Sequence, residues 1–204
     1  PSPYQEGVID LDDGRKHTVL LELYRGCPFR CGYCVWGDRE KTLRRFPLPQ
    51  VLEDVRRVYD NPNVAVVYFI DSCIFYVRDY ARKVIATIAE SKFGIPTVLT
   101  LDVRLLDDEM VHDLSRINLI YNQFQFGLQA VQPDTLRLLG RKQSREKFKA
   151  KIDLLRRIHP AADISLDIIF GLPGDSFQTF RDTVDFALTL NTAKIYPSPL
   201  LLLP

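Results

Sequence analysis

Six apolar runs recur along this chain, and stretches of helical period separate them. The runs are TVLLELY (18–24), VAVVYFI (64–70), PTVLTL (96–101), FQFGLQ (124–129), ISLDIIF (164–170) and AKIYPSPLLLL (193–203). They are rich in β-branched and aromatic residues and mostly apolar on both faces, as strands of a parallel sheet buried on both sides must be. Between them Leu48, Val51, Leu52, Val55 and Val58 repeat at helical spacing, and so do Val77, Tyr80, Ala81, Val84, Ile85 and Ile88. The same spacing returns in Met110, Val111 and Leu114, in Phe148, Ile152, Leu155 and Ile158, and in Phe177, Phe180, Val184, Ala187 and Leu188. Asp107, Ser144 and Asp175 stand where helix N-caps are expected. Such alternation implies right-handed βαβ units, so the fold class is α/β, either an open doubly wound sheet or a barrel. In both, ligands gather at the carboxyl ends of the strands.

The chain has 204 residues, 46% hydrophobic and 26% charged, enough for one large domain with a sizeable core. Lys plus Arg is 27 and Asp plus Glu is 26, a formal charge of +1, which argues against a nucleic-acid groove or an anionic membrane surface. The basic runs at Arg141-Lys142, Lys147 to Lys151 and Arg156-Arg157 read as a solvated helix face. No apolar stretch is long enough for a transmembrane helix, and no signal peptide is visible. Residues 1–17 are polar, with Pro1, Pro3 and Gly7, and read as a linker. The chain opens on PSPY, and its single Met is Met110, so it reads as an excerpt of a longer protein.

The loop after the first run is RGCPFRCGYCVWG (25–37), with Cys27, Cys31 and Cys34 in a CxxxCxxC spacing. Clustered thiols of this kind point to metal rather than to a disulfide framework, and to the cytoplasm. A structural zinc site wants four protein ligands, and Cys73 is the only other thiol. His17, His112 and His159 are isolated and read as surface or capping residues. A cubane iron–sulfur cluster also takes four ligands, so three thiolates would leave one iron open to a substrate or cofactor. Gly26, Pro28, Gly32 and Gly37 suit a loop that wraps closely around a bulky group.

With Tyr33 before its last Cys, this motif resembles that of the radical S-adenosylmethionine (SAM) enzymes. The resemblance implies that Cys27, Cys31 and Cys34 hold a 4Fe–4S cluster whose fourth iron is chelated by SAM, and that an electron from the cluster cleaves SAM to a 5′-deoxyadenosyl radical. It implies a partial (β/α)6 TIM-like barrel over residues 18–204, truncated at its C-terminus. By position, Asp71 and Ser72 stand where the family often has Gly-Gly-Glu, and Asp71 is expected to receive the SAM ammonium; the alternative is a helix N-cap. Arg104 is expected on the SAM carboxylate, or in a surface salt bridge to Asp102 or Asp107. FGLQAVQPDTLRLLGR is similar to a stretch of coproporphyrinogen dehydrogenases and methylthiotransferases, which puts Gln129 on a ribose or carboxylate and Arg141 near the methionine carboxylate. Asp167, Gly171 and Gly174 resemble the adenosine-binding edge, with Tyr196, Pro197 and Leu200 as an adenine wall; the glycines alternatively serve loop conformation alone. Cys73 is a possible hydrogen donor or, more plainly, a small buried residue. Asp71, Tyr76, Tyr121 and Arg104 are unranked as general base or anchor, so no catalytic residue is assigned.

PSPYQEGVIDL followed by LELYRGCPFRCGYCVWG is similar to the junction in cobalamin-binding radical SAM enzymes. That implies an N-terminal cobalamin domain before residues 1–17, cobalamin as a further cofactor, and a methyltransferase acting on a small-molecule substrate. Trp36 would face the cobalamin or the substrate, or simply pack. An electron donor such as flavodoxin or ferredoxin is implied, with no nucleic-acid and no membrane partner. The alternatives are a cobalamin-independent porphyrinogen-oxidising or methylthiotransferase-like enzyme, a cobalamin-dependent ring-rearranging enzyme, and a zinc- or cluster-binding module without catalysis. No phosphate-binding GxxxxGK loop, no GxGxxG, no HExxH and no Ser-His-Asp pattern is present.

Overall fold

The alternation of strand and helix closes into an arc. A computed structural model describes residues 2–36, 42–120 and 123–201; Gly37 and Tyr121 lie outside the described residues. In chain order the strands are β1 (His17–Leu21), β2 (Tyr24–Arg25), β3 (Arg44–Arg45), β4 (Val64–Phe69), β5 (Thr97–Val98), β6 (Gln123–Gln129), β7 (Asp163–Phe170) and β8 (Lys194–Pro199). β1, β4 and β5 form one parallel sheet in that order, and β6, β7 and β8 form a second. A parallel bridge between Thr97 and Leu119 ties β5 to the segment that precedes β6, and the Thr97 N–H donates to the Asn118 carbonyl at 2.8 Å. The six parallel strands thus follow one another as the expected partial (β/α)6 barrel. β2 and β3 make a small antiparallel ribbon at the cysteine loop.

The helices are α1 (Leu48–Tyr59), α2 (Arg78–Ala89), α3 (Asp108–Leu114), α4 (Pro133–Leu138), α5 (Arg145–Ile158) and α6 (Phe177–Thr189). Asp107 caps α3 by accepting the Met110 N–H at 2.9 Å, and Ser144 caps α5 by accepting that of Lys147 at 3.3 Å. The third expected cap falls one residue later: Ser176 forms a reciprocal capping box with Thr179. Asp175 is drawn back across the turn instead, where its carboxylate accepts the Leu172 N–H at 3.1 Å. α4 was hidden in the sequence, because QPDTLRLLGR is too short to show a full helical period; its proline sits in the first turn, where no N–H is needed.

The expectation that the strands are apolar on both faces fails for β6 and β7. Phe124, Phe126 and Leu128 of β6, and Ile164, Leu166 and Ile168 of β7, are buried against the helices. On a strand the alternate residues must point the other way, and here they include Gln125 and Asp167, which line a central cavity. In β1 and β4 the same alternation buries Val19, Leu21, Val67 and Phe69 and leaves Leu20 and Tyr68 exposed on the opposite face.

The segment read as a linker is docked. Tyr4 and Leu11 are buried in the main core, and the Tyr4 hydroxyl donates to the Leu20 carbonyl at 2.7 Å. Ser2 donates to Asp54 of α1 at 2.5 Å. The start of the chain is thus pinned to both β1 and α1. Among the described residues no helix is long and apolar enough to cross a membrane.

Candidate functional site

The site is assembled around the chain's passage from β1 into the cysteine loop. Asp71, just beyond β4, sets that passage. Its carboxylate accepts the Leu23 N–H at 3.0 Å and the Tyr24 N–H at 2.7 Å. It is 3% exposed, and burial pushes it up to about 7 while the two backbone donors pull it down. Asp71 thus departs from its expected place: it holds backbone and does not line the cavity. Nor does it cap a helix, since the 3-10 turn Ile74–Tyr76 follows Cys73.

The loop next leans on the turn between α4 and α5. The Gly32 N–H donates to the Leu139 carbonyl at 3.0 Å. Gly140 sits at φ +66°, and a Cβ there would lie 2.9 Å from the Arg30 carbonyl oxygen, so glycine is required for both conformation and space. Arg141 then reaches into the loop. It donates to the Tyr33 hydroxyl at 2.9 Å and to the Gly127 carbonyl at 2.8 Å, and lies 3.9 Å from Cys31 Sγ. Burial pushes the Tyr33 phenol up to about 12, against Arg141, which pulls it down. Arg141 therefore ties the loop to β6, and its Nε is buried without a protein partner.

The opposite limb of the loop rests on the segments after β4 and β5. Cys27 Sγ lies 3.0 Å from the Tyr76 hydroxyl, which lies 3.0 Å from Ser72 Oγ. The Phe29 ring packs edge-on to Tyr76, and the Arg104 guanidinium stacks over it at 3.7 Å from the ring centroid. Arg104 grips Asp102 through bonds of 2.9 and 2.5 Å, while Asp107 pairs with Arg78. Burial acts to raise Asp102, and the Arg104 bonds outweigh it, leaving the carboxyl below its usual value. Arg104 thus pairs with Asp102, but at the cavity with both side chains mostly buried rather than at the surface.

These limbs and the lumen faces of β6 and β7 enclose a cavity of about 380 Å³. Its walls include Cys27, Cys31, Cys34, Tyr33, Trp36, Ser72, Asp102, Arg104, Gln125, Gln129, Arg141 and Asp167. Gln129 lies at the bulge where β6 slips register against β7, with φ +65°. A non-glycine residue in this region carries strain, a feature that clusters at ligand sites. Its amide lies over Gly127, where a Cβ would come within 2.4 Å of Nε2, and its Oε1 is buried with no protein partner. Asp167 accepts the Gln125 amide at 2.9 and 3.0 Å, and burial raises its pKa. Gln125 was not singled out from the sequence; the period-2 glutamines 123, 125 and 129 were the available signal.

Beyond Asp71, the expected Gly171, Gly174, Tyr196, Pro197 and Leu200 also fall outside the cavity lining. Tyr196 is the register partner of Asp167 and shares its face, but is 41% exposed. Gly171, at φ +80°, borders a separate apolar groove formed with Phe177, Phe180 and Pro197 on the outer side of β8. Leu200 packs with Ala130, Leu139 and Leu172. Cys73 is fully buried, and burial pushes its thiol up to about 12, as befits a small core residue. His17 bonds Asp13, and His159 meets the Phe124 ring.

Among the described residues no three Cys, His, Asp or Glu side chains converge as ligands of a single metal ion must. What the cavity does offer is three partly exposed thiols from one loop in its lining, beside an unpartnered amide oxygen and an unpartnered guanidinium nitrogen. An all-thiolate donor set of this kind fits an iron–sulfur cluster, and the two orphaned polar groups fit a polar ligand set against it.

The family model described as "Radical SAM superfamily" matches residues 21–187. The chain is 23% identical over 186 residues to the ribosomal protein uS12 methylthiotransferase RimO of Clostridium perfringens, covering 88% of this chain and 42% of that protein. It is 25% identical over 209 residues to the tRNA-2-methylthio-N(6)-dimethylallyladenosine synthase of Nitratiruptor sp., covering 95% of this chain and 47% of that one. The chain thus spans less than half the length of these relatives. Its fold is similar to that of TsrM from Kitasatospora setae, a radical SAM methyltransferase with cobalamin and a 4Fe–4S cluster bound, at a TM-score of 0.77 and 16% identity over 90% of this chain and 34% of that one.

Proposed function

Because this chain belongs to the radical SAM superfamily, we propose that it forms the core of a cobalamin-dependent methyltransferase that uses a 4Fe–4S cluster and SAM. The observation that carries the radical SAM part is the CxxxCxxC loop, whose three thiols all line a cavity at the carboxyl ends of the strands. Cys27, Cys31 and Cys34 hold the cluster, which supplies one electron for reductive cleavage of SAM when bound. Gln129 offers its unpartnered Oε1 to the SAM ammonium or a ribose hydroxyl. Arg104, already paired with Asp102, presents its guanidinium to the SAM carboxylate, and the Asp102–Arg104 couple complements an amino-acid zwitterion. Asp71, Gly140 and Arg141 hold the loop in place. Ser72, Tyr33 and Asp167 complete the polar lining.

The methyl-transfer part rests on the PSPY-type lead-in and on the likeness of fold to TsrM. The substrate is read as a small molecule, the electron donor as a flavodoxin or ferredoxin, and the location as the cytoplasm, with residues 1–17 leading in from a cobalamin domain. A second reading is favoured by the curated relatives: a methylthiotransferase-type enzyme acting on RNA or a ribosomal protein. The test is anaerobic reconstitution of the protein carrying this chain with iron, sulfide, SAM, a reductant and cobalamin, followed by mass spectrometry of 5′-deoxyadenosine and S-adenosylhomocysteine. Cobalamin-dependent S-adenosylhomocysteine supports the first reading. Both products forming without any need for cobalamin would overturn it in favour of the second.

A further inference from the structure

Cys27 has a phenol hydroxyl set directly against its sulfur. Tyr76 Oη lies 3.0 Å from Cys27 Sγ, and Ser72 Oγ lies 3.0 Å from the same Tyr76 oxygen. In the free thiol form the direction of these bonds is open, since S–H and both O–H groups can donate. Metal binding removes the choice. A ligating cysteine is a thiolate with no proton to give, so the Tyr76 O–H must donate to it. The phenol has a single proton, so its oxygen is left to accept, and the Ser72 O–H must donate to it. The three groups then form one directed chain, from Ser72 through Tyr76 to the Cys27 sulfur.

The packing holds this chain in register. The Tyr76 ring lies between aromatic neighbours, 5.7 Å from the Phe29 ring and 6.2 Å from the Tyr24 ring between centroids. Phe29 belongs to the cysteine loop itself, and Arg104 presses on it. Tyr24 donates its backbone N–H to the Asp71 carboxylate, at the entry to the loop. The hydroxyl is thus aimed by a rigid aromatic frame rather than by a flexible arm.

We infer that Tyr76, oriented by Ser72, is a positioning residue that tunes the cluster by donating a hydrogen bond to the Cys27 sulfur. The inference rests on the cluster reading above. A donor to a cluster sulfur stabilises the reduced, more negative state and raises the reduction potential. Losing it makes the cluster harder to reduce.

The experiment compares wild-type, Tyr76→Phe and Ser72→Ala proteins after anaerobic reconstitution with iron and sulfide. Iron and sulfide content and the thermal unfolding midpoint are measured first. Redox titration followed by electron paramagnetic resonance of the reduced cluster then gives the midpoint potential. Phe keeps the ring and its packing, so cluster content and unfolding should be unchanged. The ratio of reduced to oxidised cluster at a fixed potential should fall roughly three- to tenfold in Tyr76→Phe, as loss of one charge-assisted bond implies. Ser72→Ala should shift it in the same direction by less. A wild-type protein without iron and sulfide would overturn the cluster reading itself. An intact cluster with the same potential in wild type and Tyr76→Phe would overturn this inference alone. Should Tyr76→Phe fail to fold, Ser72→Ala decides the matter, because it leaves the aromatic frame whole.

Discussion

Asp71 is a carboxylate with a burden that can be measured. It is 3% exposed and lies at about 7, against 3.8 for the free side chain. Between those two values the native state holds a proton that the unfolded chain has released. Stability therefore falls as pH rises from about 4 towards 7 and levels off above that. A shift of roughly three units corresponds to about 4 kcal/mol at the plateau, and to about 2–3 kcal/mol between pH 5 and pH 8. Asp71→Asn removes the charge but keeps an amide oxygen for the Leu23 and Tyr24 N–H groups. Asp71→Ala removes the acceptor and leaves both buried N–H groups unsatisfied, at a cost of about 2–6 kcal/mol. The assay is urea unfolding of the apo protein at pH 5, 6, 7 and 8, with the wild-type slope read as its difference from Asp71→Asn so that other carboxylates cancel. The difference should grow with pH in favour of Asp71→Asn, and Asp71→Ala should be the least stable at every pH. A pH-independent difference would refute the buried-charge argument. Equal stability of the Ala and Asn variants would refute the anchoring role.

Three further perturbations probe the rest of the site. Gly140→Ala places a Cβ 2.9 Å from the Arg30 carbonyl at φ +66°, so chemical denaturation should show a loss of about 1–3 kcal/mol and reconstitution a lower iron content. Gln129→Leu removes a buried amide oxygen that has no protein partner; calorimetry should show a fold no less stable and SAM affinity lowered about five- to tenfold. Replacing any one of Cys27, Cys31 and Cys34 with Ala should abolish bound iron, whereas Cys73→Ala should keep it, at a cost in stability of about 1 kcal/mol from the small cavity left behind. Loss of iron in the Cys73 variant would mean a fourth protein ligand.

The residues that sequence reasoning placed well are those whose signal is local. Val51, Val55 and Val58 recur at helical spacing and are all buried on α1. Cys27, Cys31 and Cys34 lie within eight positions and line one cavity. Ser144 and Asp107 cap the helices they precede. The misplaced residues are those whose partners lie far along the chain. Asp71 meets Leu23 and Tyr24 across 48 and 47 positions, and nothing near it in sequence marks it as an acceptor of backbone N–H groups rather than of a ligand's. Arg141 does reach the cavity, but its bonds to the cysteine loop, across as many as 110 positions, carry no local signal either. Gly171 looks like a cavity glycine from its motif, yet it borders the separate apolar groove with Phe177, Phe180 and Pro197.

By itself, then, the amino-acid order determined the α/β alternation, the count of six parallel strands and the thiol loop after the first of them, because periodicity and spacing act between neighbours. Only the tertiary structure decided which polar groups spend their hydrogen bonds on the protein and which stay open. Asp71 and most of Arg141 are consumed in holding the loop, Arg104 is shared with Asp102, and Gln129 keeps a free oxygen. Each donor and acceptor can be satisfied only by what the closed fold brings within about 3 Å of it, and that distance is set by the packing of strands and helices remote in sequence.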